Sequence, residues 1–189
     1  LLALALCATG GRRKVRAGAL AAVLALFAVV VVHPFAPRLV PNSLELTAVD
    51  VGQAESLLVV TPAGKTVLVD GGGFPSSGRR KPRMDIGEDV VSPYLWTRSI
   101  RRLDVVVSTH AHTDHIGGLG AVLENFRPQE LWTSAVAGGP DWLALRARAE
   151  ALGIRVVVRG AGERFWLGGA EFEVFAPGAD GAPATEPQN

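Results

Sequence analysis

The sequence predicts an α/β layered domain preceded by a transmembrane helix. Three observations carry this. An uncharged run, residues 17–32, follows a cluster of basic residues. Short apolar stretches come next, some alternating with polar residues and separated by Gly and Pro. Beyond them, apolar strands alternate with helix-like segments, the pattern that layers helices on a sheet.

Charge divides the chain. Residues 1–43 hold five basic residues, Arg12, Arg13, Lys14, Arg16 and Arg38, and no Asp or Glu. The remainder holds 14 basic and 18 acidic residues, a formal net charge of −4. A basic, apolar head on a mildly acidic body reads as a membrane segment joined to a second domain. A spanning helix needs about 20 mostly apolar residues. The run 17–32 approaches that length, and His33 to Ala36 extend it into the interface. The expected order is therefore the end of a preceding transmembrane helix at 1–10, a basic cytoplasmic loop at 11–16, a transmembrane helix at 17–33 and a linker at 34–43. The positive-inside rule places everything after Val32 outside the cytoplasmic membrane. A signal peptide has the same basic-then-apolar order, but no small-x-small cleavage site follows. The chain starts at Leu1 and its one methionine is Met84, so it reads as a piece of a longer protein. The single cysteine, Cys7, excludes an intrachain disulfide.

The body is expected to span 44–177, with a loose tail at 178–189. Pro34, Pro37 and Pro41 stop the helix. Leu44–Asp50 alternates as a half-buried strand does, and Glu55–Thr61 is a second strand. Pro62–Lys65 is a turn, followed by a strand at Thr66–Val69 that ends at Asp70. Phe74–Arg83 is a basic loop. Glu88–Ser99 is helical, Asp104–Val107 a buried strand, Ile116–Phe126 a helix and Glu130–Thr133 a strand. Asp141–Leu152 is a helix with Asp141 as N-cap and Gly153 closing it. Strands follow at Ile154–Val158, Arg164–Leu167 and Glu171–Phe175.

The chemistry concentrates in Ser108-Thr109-His110-Ala111-His112-Thr113-Asp114-His115. In an extended loop, side chains two apart point the same way, so His110 and His112 can converge on one metal. Asp114 and His115 follow at a loop-to-helix junction and can serve a second point nearby. Imidazoles with a carboxylate suit zinc, manganese or iron rather than calcium. Two such ions bridge a water, lower its pKa and clamp an ester or phosphodiester oxygen. Asp114 can orient that water.

The order His110-Ala111-His112-Thr113-Asp114-His115, preceded by Leu68-Val69-Asp70-Gly71-Gly72-Gly73, resembles the metallo-β-lactamase superfamily. The resemblance implies the N-terminal part of an αββα sandwich and two divalent metals, zinc first and manganese next. It implies His110 and His112 on metal one, Asp114 and His115 on metal two, and Asp70 supporting the metal loops from behind. Asp50-Val51-Gly52-Gln53-Ala54-Glu55-Ser56 further resembles a hairpin of the DNA-internalisation competence family, ComEC, with departures at Ala54 and Glu55. That family often has an aspartate where this chain has His112, so the second histidine is restored here.

The superfamily also supplies a further histidine, a bridging aspartate and a last histidine. No histidine follows His115, and Asp141 and Asp180 are the only downstream aspartates. The expectation is truncation at Asn189, with a fragment that alone is inactive.

The resemblance implies a metal-dependent hydrolase domain of a membrane-bound DNA uptake protein, acting on phosphodiester bonds of incoming DNA beside other competence proteins. Alternatives are a membrane-tethered hydrolase of a small ester, thioester or lactam, and a non-catalytic channel domain. Arg79, Arg80, Lys81, Arg83, Arg98, Arg101 and Arg102 form a basic concentration suited to phosphate contact. Because the body is net acidic, a solvated surface is the favoured reading of it. Trp96, Trp132, Trp142 and Trp166 are expected to pack rather than stack on bases.

Overall fold

The computed structural model describes residues 13–32, 36–74, 84–134 and 137–175. The chain divides into two compact units, Leu1–Ala36 and Pro37–Asn189.

The first unit contains helix α1, Arg13–Val32. Its rows of Ala, Leu and Val carry no breaker, and Leu20, Leu24, Leu26, Phe27 and Val30 are exposed. The helix begins earlier than the sequence suggests. Arg13, Lys14 and Arg16 belong to it instead of to a basic loop at 11–16. Among the described residues no helix is long and apolar enough to cross a membrane; the span expected at 17–33 runs to His33, which lies outside them. The uncharged part, residues 17–32, extends about 24 Å at 1.5 Å per residue, short of a hydrocarbon core of about 30 Å. The segment expected at 1–10, Cys7, Arg12 and His33 lie outside the described residues.

The second unit is built on a six-stranded mixed sheet. Its strands are β1 (Glu45–Ala48), β2 (Leu57–Val60), β3 (Thr66–Val69), β4 (Val105–Ser108), β5 (Glu130–Ser134) and β6 (Arg155–Arg159), in that spatial order. β1, β2 and β3 are antiparallel, whereas β3 to β6 are parallel. A two-stranded hairpin, β7 (Arg164–Leu167) and β8 (Ala170–Glu173), forms a second sheet. The helices are a π-helical turn at Gly87–Val91 running into α2 (Ser92–Thr97), then α3 (Thr113–Ile116), α4 (Leu119–Phe126) and α5 (Pro140–Ala151).

Register explains the layers. Leu58, Leu68, Val106, Leu131 and Val156 stand side by side across five strands. They share a core with Val91, Leu95, Leu119, Val122, Leu123, Phe126, Trp142 and Leu145 from the helical side. One residue along, Leu57, Val69, Val107, Trp132 and Val157 form the opposite row, packed with Phe165, Leu167 and Phe172 of the hairpin. Period-two alternation thus sorts residues between a helical layer and a second sheet. Each fully buried Leu or Val contributes about 1.5–3 kcal/mol relative to exposure. The result is a helix–sheet–sheet arrangement, a mixed α/β fold.

Three boundaries differ from the sequence reading. The helix expected over Ile116–Phe126 is two, because Gly117 and Gly118 interrupt it and its first turn starts at Thr113. The helix expected over Glu88–Ser99 opens as a π-helical turn. Asp141 is not the N-cap of α5. Gly139 holds that position with Pro140 next, and Asp141 sits in the first turn, where its charge suits the helix dipole. Gly153 does close α5 in the left-handed region, with Gly153 and Ile154 amides bonding the carbonyls of Glu150 and Ala149. The tail at 178–189, and with it Asp180, lies outside the described residues, as do Arg79, Arg80, Lys81 and Arg83.

Candidate metal centre

Because β3 and β4 are parallel, the loops that leave them meet at one edge of the sheet. β2 runs antiparallel to β3, so the residues that enter it, Glu55 and Ser56, reach the same edge. Three loops carrying Glu55, Asp70 and the histidine cluster therefore converge there, outside the carboxyl ends of parallel strands, where α/β sheets place their ligands.

Main-chain hydrogen bonds lock the loops together. The Gly72 amide donates to the Glu55 carbonyl, Gly71 to His115, Gly118 to Gly72 and Asp70 to Val107, all at 2.8–2.9 Å. The Ser56 hydroxyl donates to the Asp70 carbonyl at 3.0 Å. Backbones can approach this closely only without side chains between them. A Cβ on Gly118 would stand 2.2 Å from the Gly71 carbonyl oxygen and 2.5 Å from the Gly87 nitrogen.

Asp70 is the centre of this assembly. It is 1% exposed and holds a left-handed backbone at φ 57°, a conformation that Asp tolerates better than most residues. Its Oδ1 accepts from the Thr109 amide at 2.9 Å. Its Oδ2 accepts from the Thr109 hydroxyl at 2.6 Å and faces His115 Nδ1 at 2.7 Å. Three donors on one buried carboxylate compensate its charge. The contact to His115 places that ring's proton on Nδ1 and frees Nε2, the role expected of a residue behind a metal ligand.

The structure brings the four candidate ligands into one cluster. The His110 ring lies 3.7 Å from that of His115 and 4.7 Å from that of His112, centroid to centroid. Asp114 Oδ2 is 3.8 Å from His115 Nε2, on the side away from Asp70. Burial first, then the neighbouring His115 and His112, push the His110 imidazole below its ordinary value of 6.5. Neutral imidazole is the form that binds a metal, so this environment favours a ligand.

A second donor set, Glu55, Asp70 and His115, lies behind the first. The 2.7 Å contact between Asp70 and His115 Nδ1 is a hydrogen bond, and Asp70 also accepts from the Thr109 amide and hydroxyl. An ion seated there would have to displace the Nδ1 proton. Glu55, Asp70 and His115 are the group whose donor atoms lie closest together among the described residues, whereas His115 Nε2, left free by that bond, faces Asp114 Oδ2 at 3.8 Å with the His110 ring packed beside it.

Two site residues were not assigned from the sequence. Thr109 carries no role in the sequence reading, although its hydroxyl stands next to a candidate ligand, His110. Glu55 was set aside as a departure from the hairpin pattern, yet its Oε2 comes within 3.8 Å of His115 Nδ1. A cleft of about 270 Å³ opens beside them, lined by Ala48, Val49, Ala54, Glu55, Leu57 and Thr109 among others. Of the basic concentration, Arg98 is engaged with Glu45 at 2.7 and 3.0 Å, and with the Arg38 carbonyl. Trp132 and Trp142 are buried, as expected, while Trp96 and Trp166 are exposed.

Loops of this kind at the carboxyl edge of a mixed sheet define a metal-site α/β fold. Residues 49–180 match the Metallo-beta-lactamase superfamily, and the chain belongs to it. It is 31% identical to ComE operon protein 3 of Bacillus subtilis (strain 168) over 144 residues, 71% of this chain and 18% of that protein. It is 32% identical to the uncharacterized protein YcaI of Escherichia coli (strain K12) over 83 residues, 44% of this chain and 10% of that protein. The chain thus spans less than a fifth of the length of these curated relatives. Among solved structures it resembles a mutant flavo-di-iron protein from Thermotoga maritima, at 20% identity and a TM-score of 0.45, covering 64% of this chain and 26% of that one. It also resembles a HARLDQ-motif mutant of a metallo-beta-lactamase from Cronobacter sakazakii, at 17% identity and a TM-score of 0.43, covering 75% of this chain and 54% of that one. The family fold implies binding of a divalent metal.

Proposed function

We propose that this chain carries part of a metal-dependent hydrolase site of a DNA uptake protein, cleaving phosphodiester bonds of incoming DNA. In this reading His110 and His112 hold one divalent ion, and Asp114 and His115 a second, zinc or manganese. Bound there, the ions would supply a water of lowered pKa and a Lewis acid for the ester oxygen. Asp114, half-exposed at the start of α3, orients the attacking water. His110, kept neutral by burial and by its neighbours, presents a lone pair. Asp70 holds His115 in one orientation, and the glycine loops exclude bulk water behind it.

The observation that carries the reading is the packing of the His110 ring against those of His115 and His112, with Asp114 Oδ2 3.8 Å from His115 Nε2 and the buried Asp70 on Nδ1. The similarity to ComE operon protein 3 supports DNA uptake over other hydrolytic roles, with further competence proteins as partners. The exposed apolar side chains of α1 support attachment to a bacterial cytoplasmic membrane, with the hydrolase domain on the extracytoplasmic side.

The test is metal-dependent cleavage of labelled single-stranded and duplex DNA by the full-length protein that carries this chain, and by its His112→Ala variant. We expect cleavage that needs added zinc or manganese and is lost in the variant. Turnover of small esters, thioesters or lactams, undisturbed by DNA as competitor, would replace the DNA reading with a small-molecule one. Loss of transformation in the variant without any nuclease activity in the parent would make the domain non-catalytic.

A further inference from the structure

We propose that Thr109 is a positioning residue that fixes the ring tautomer of His110, so that the single carboxylate of Asp70 sets the proton placement of two imidazoles. The purpose of this device rests on the metal reading above. The geometry stands without it.

Thr109 has one hydroxyl proton. Its Oγ1 lies 2.6 Å from Asp70 Oδ2, and an ionised carboxylate only accepts, so the proton points there. The same Oγ1 lies 3.1 Å from His110 Nδ1. With its proton committed, Oγ1 can meet that nitrogen only as an acceptor. His110 therefore carries its hydrogen on Nδ1, and in the neutral ring the lone pair falls on Nε2. His115 reaches the same state directly, through Nδ1 and Asp70 Oδ2 at 2.7 Å. The carboxylate is itself held by the Thr109 amide at 2.9 Å. One residue thus anchors Asp70 through its backbone and extends Asp70's influence to His110 through its side chain.

The two tethered rings are the closest pair in the cluster, 3.7 Å apart. Among the described residues His112 has no such tether. A fixed tautomer removes the step of moving a proton between ring nitrogens before a metal is bound. A donor chain ending on a carboxylate also raises the basicity of the free nitrogen. A serine at this position keeps the hydroxyl, whereas a valine keeps the shape and loses it.

The test is the ring-nitrogen NMR spectrum of the metal-free full chain above neutral pH, for the parent, Thr109→Val and Thr109→Ser, together with calorimetric zinc titration of each. We expect His110 in the Nδ1–H form in the parent and in Thr109→Ser. In Thr109→Val we expect His110 to populate both tautomers while His115 stays in the Nδ1–H form. Zinc affinity should fall about 10-fold to 100-fold in Thr109→Val and return in Thr109→Ser. Nε2–H at His110 in the parent overturns the proposal, and that spectrum decides the matter alone should Thr109→Val fail to fold. Unchanged His110 signals in a folded Thr109→Val overturn it as well. A parent with the expected tautomer that binds neither zinc nor manganese overturns the metal reading and leaves the role of Thr109 supported.

Discussion

Asp70 Oδ2 lies 2.7 Å from His115 Nδ1, joining two residues 45 positions apart in the chain. The contact links the loop after β3 to the short helix α3 that follows β4, near the carboxyl ends of both strands. Parallel pairing alone brings the two loops together. The buried carboxylate then decides which nitrogen of His115 is free. This side chain adds a buried, charged link between fold and site to the main-chain bonds that already join the loops.

Replacing Asp70 by Asn tests that connection. The amide keeps the shape and tolerates the left-handed backbone, but it cannot accept from the Thr109 amide, the Thr109 hydroxyl and His115 together. We expect the metal-free protein to lose about 1–3 kcal/mol, the cost of a buried donor left unsatisfied. Zinc affinity should fall about 10-fold to 100-fold. Urea unfolding and calorimetry measure the two effects separately, and unchanged values in both would remove Asp70 from the centre of the site.

Gly118→Ala addresses the close approach of the loops. The added Cβ would meet the Gly71 carbonyl oxygen at 2.2 Å and the Gly87 nitrogen at 2.5 Å, both main-chain atoms. Neither can swing aside as a side chain would. We expect loss of the cooperative unfolding transition, or destabilisation beyond about 3 kcal/mol. A variant that unfolds like the parent in urea would contradict the packing described.

Much of this architecture was legible beforehand. Strands at 57–60, 66–69, 105–108 and 164–167 follow from apolar runs whose alternate residues face different layers. The histidine cluster was legible because its spacing is chemical. Other features were not. The split between α3 and α4 depends on Gly117 and Gly118 packing against distant backbone, which no local pattern reports. Thr109 and Glu55 gain meaning only when β2, β3 and β4 are placed side by side. The helix at Arg13–Val32 was foreseen as a helix, but its start was misplaced, since Arg and Lys are good helix formers and continue it.

The Arg98–Glu45 pair predicts a pH effect. Hydrogen bonds from Arg98 hold the Glu45 carboxyl below its ordinary value of 4.5, against the opposing effect of its own burial. A lowered carboxylate pKa contributes stability above the unfolded value, and that contribution fades as pH falls through the folded value. Arg98→Ala should therefore cost about 1–3 kcal/mol near neutral pH, as for a hydrogen bond to a charged group. The difference from the parent should shrink below pH 4.5. Urea unfolding at neutral and acidic pH checks this. A difference that grows on acidification would reverse the sign and exclude the pair as its source.

The last prediction separates the two donor sets around His115. An ion between Glu55, Asp70 and His115 would need Nδ1, which is already bonded to Asp70. An ion on the other side would use Nε2, with Asp114 3.8 Å away. Glu55 is largely exposed, and its Oε2 stands 3.8 Å from Nδ1, so it contributes charge near the ring without a hydrogen bond to it. Glu55→Gln should leave zinc affinity within about 3-fold of the parent, because a surface charge at this distance is worth under 1 kcal/mol. Asp114→Asn should lower it by about 10-fold or more, because a neutral amide is a poorer ligand for zinc than a carboxylate. Parallel calorimetric titrations of the two variants give the answer directly. The reverse ranking would place the ion on the Nδ1 face of His115 and turn Asp70 from a support into a ligand.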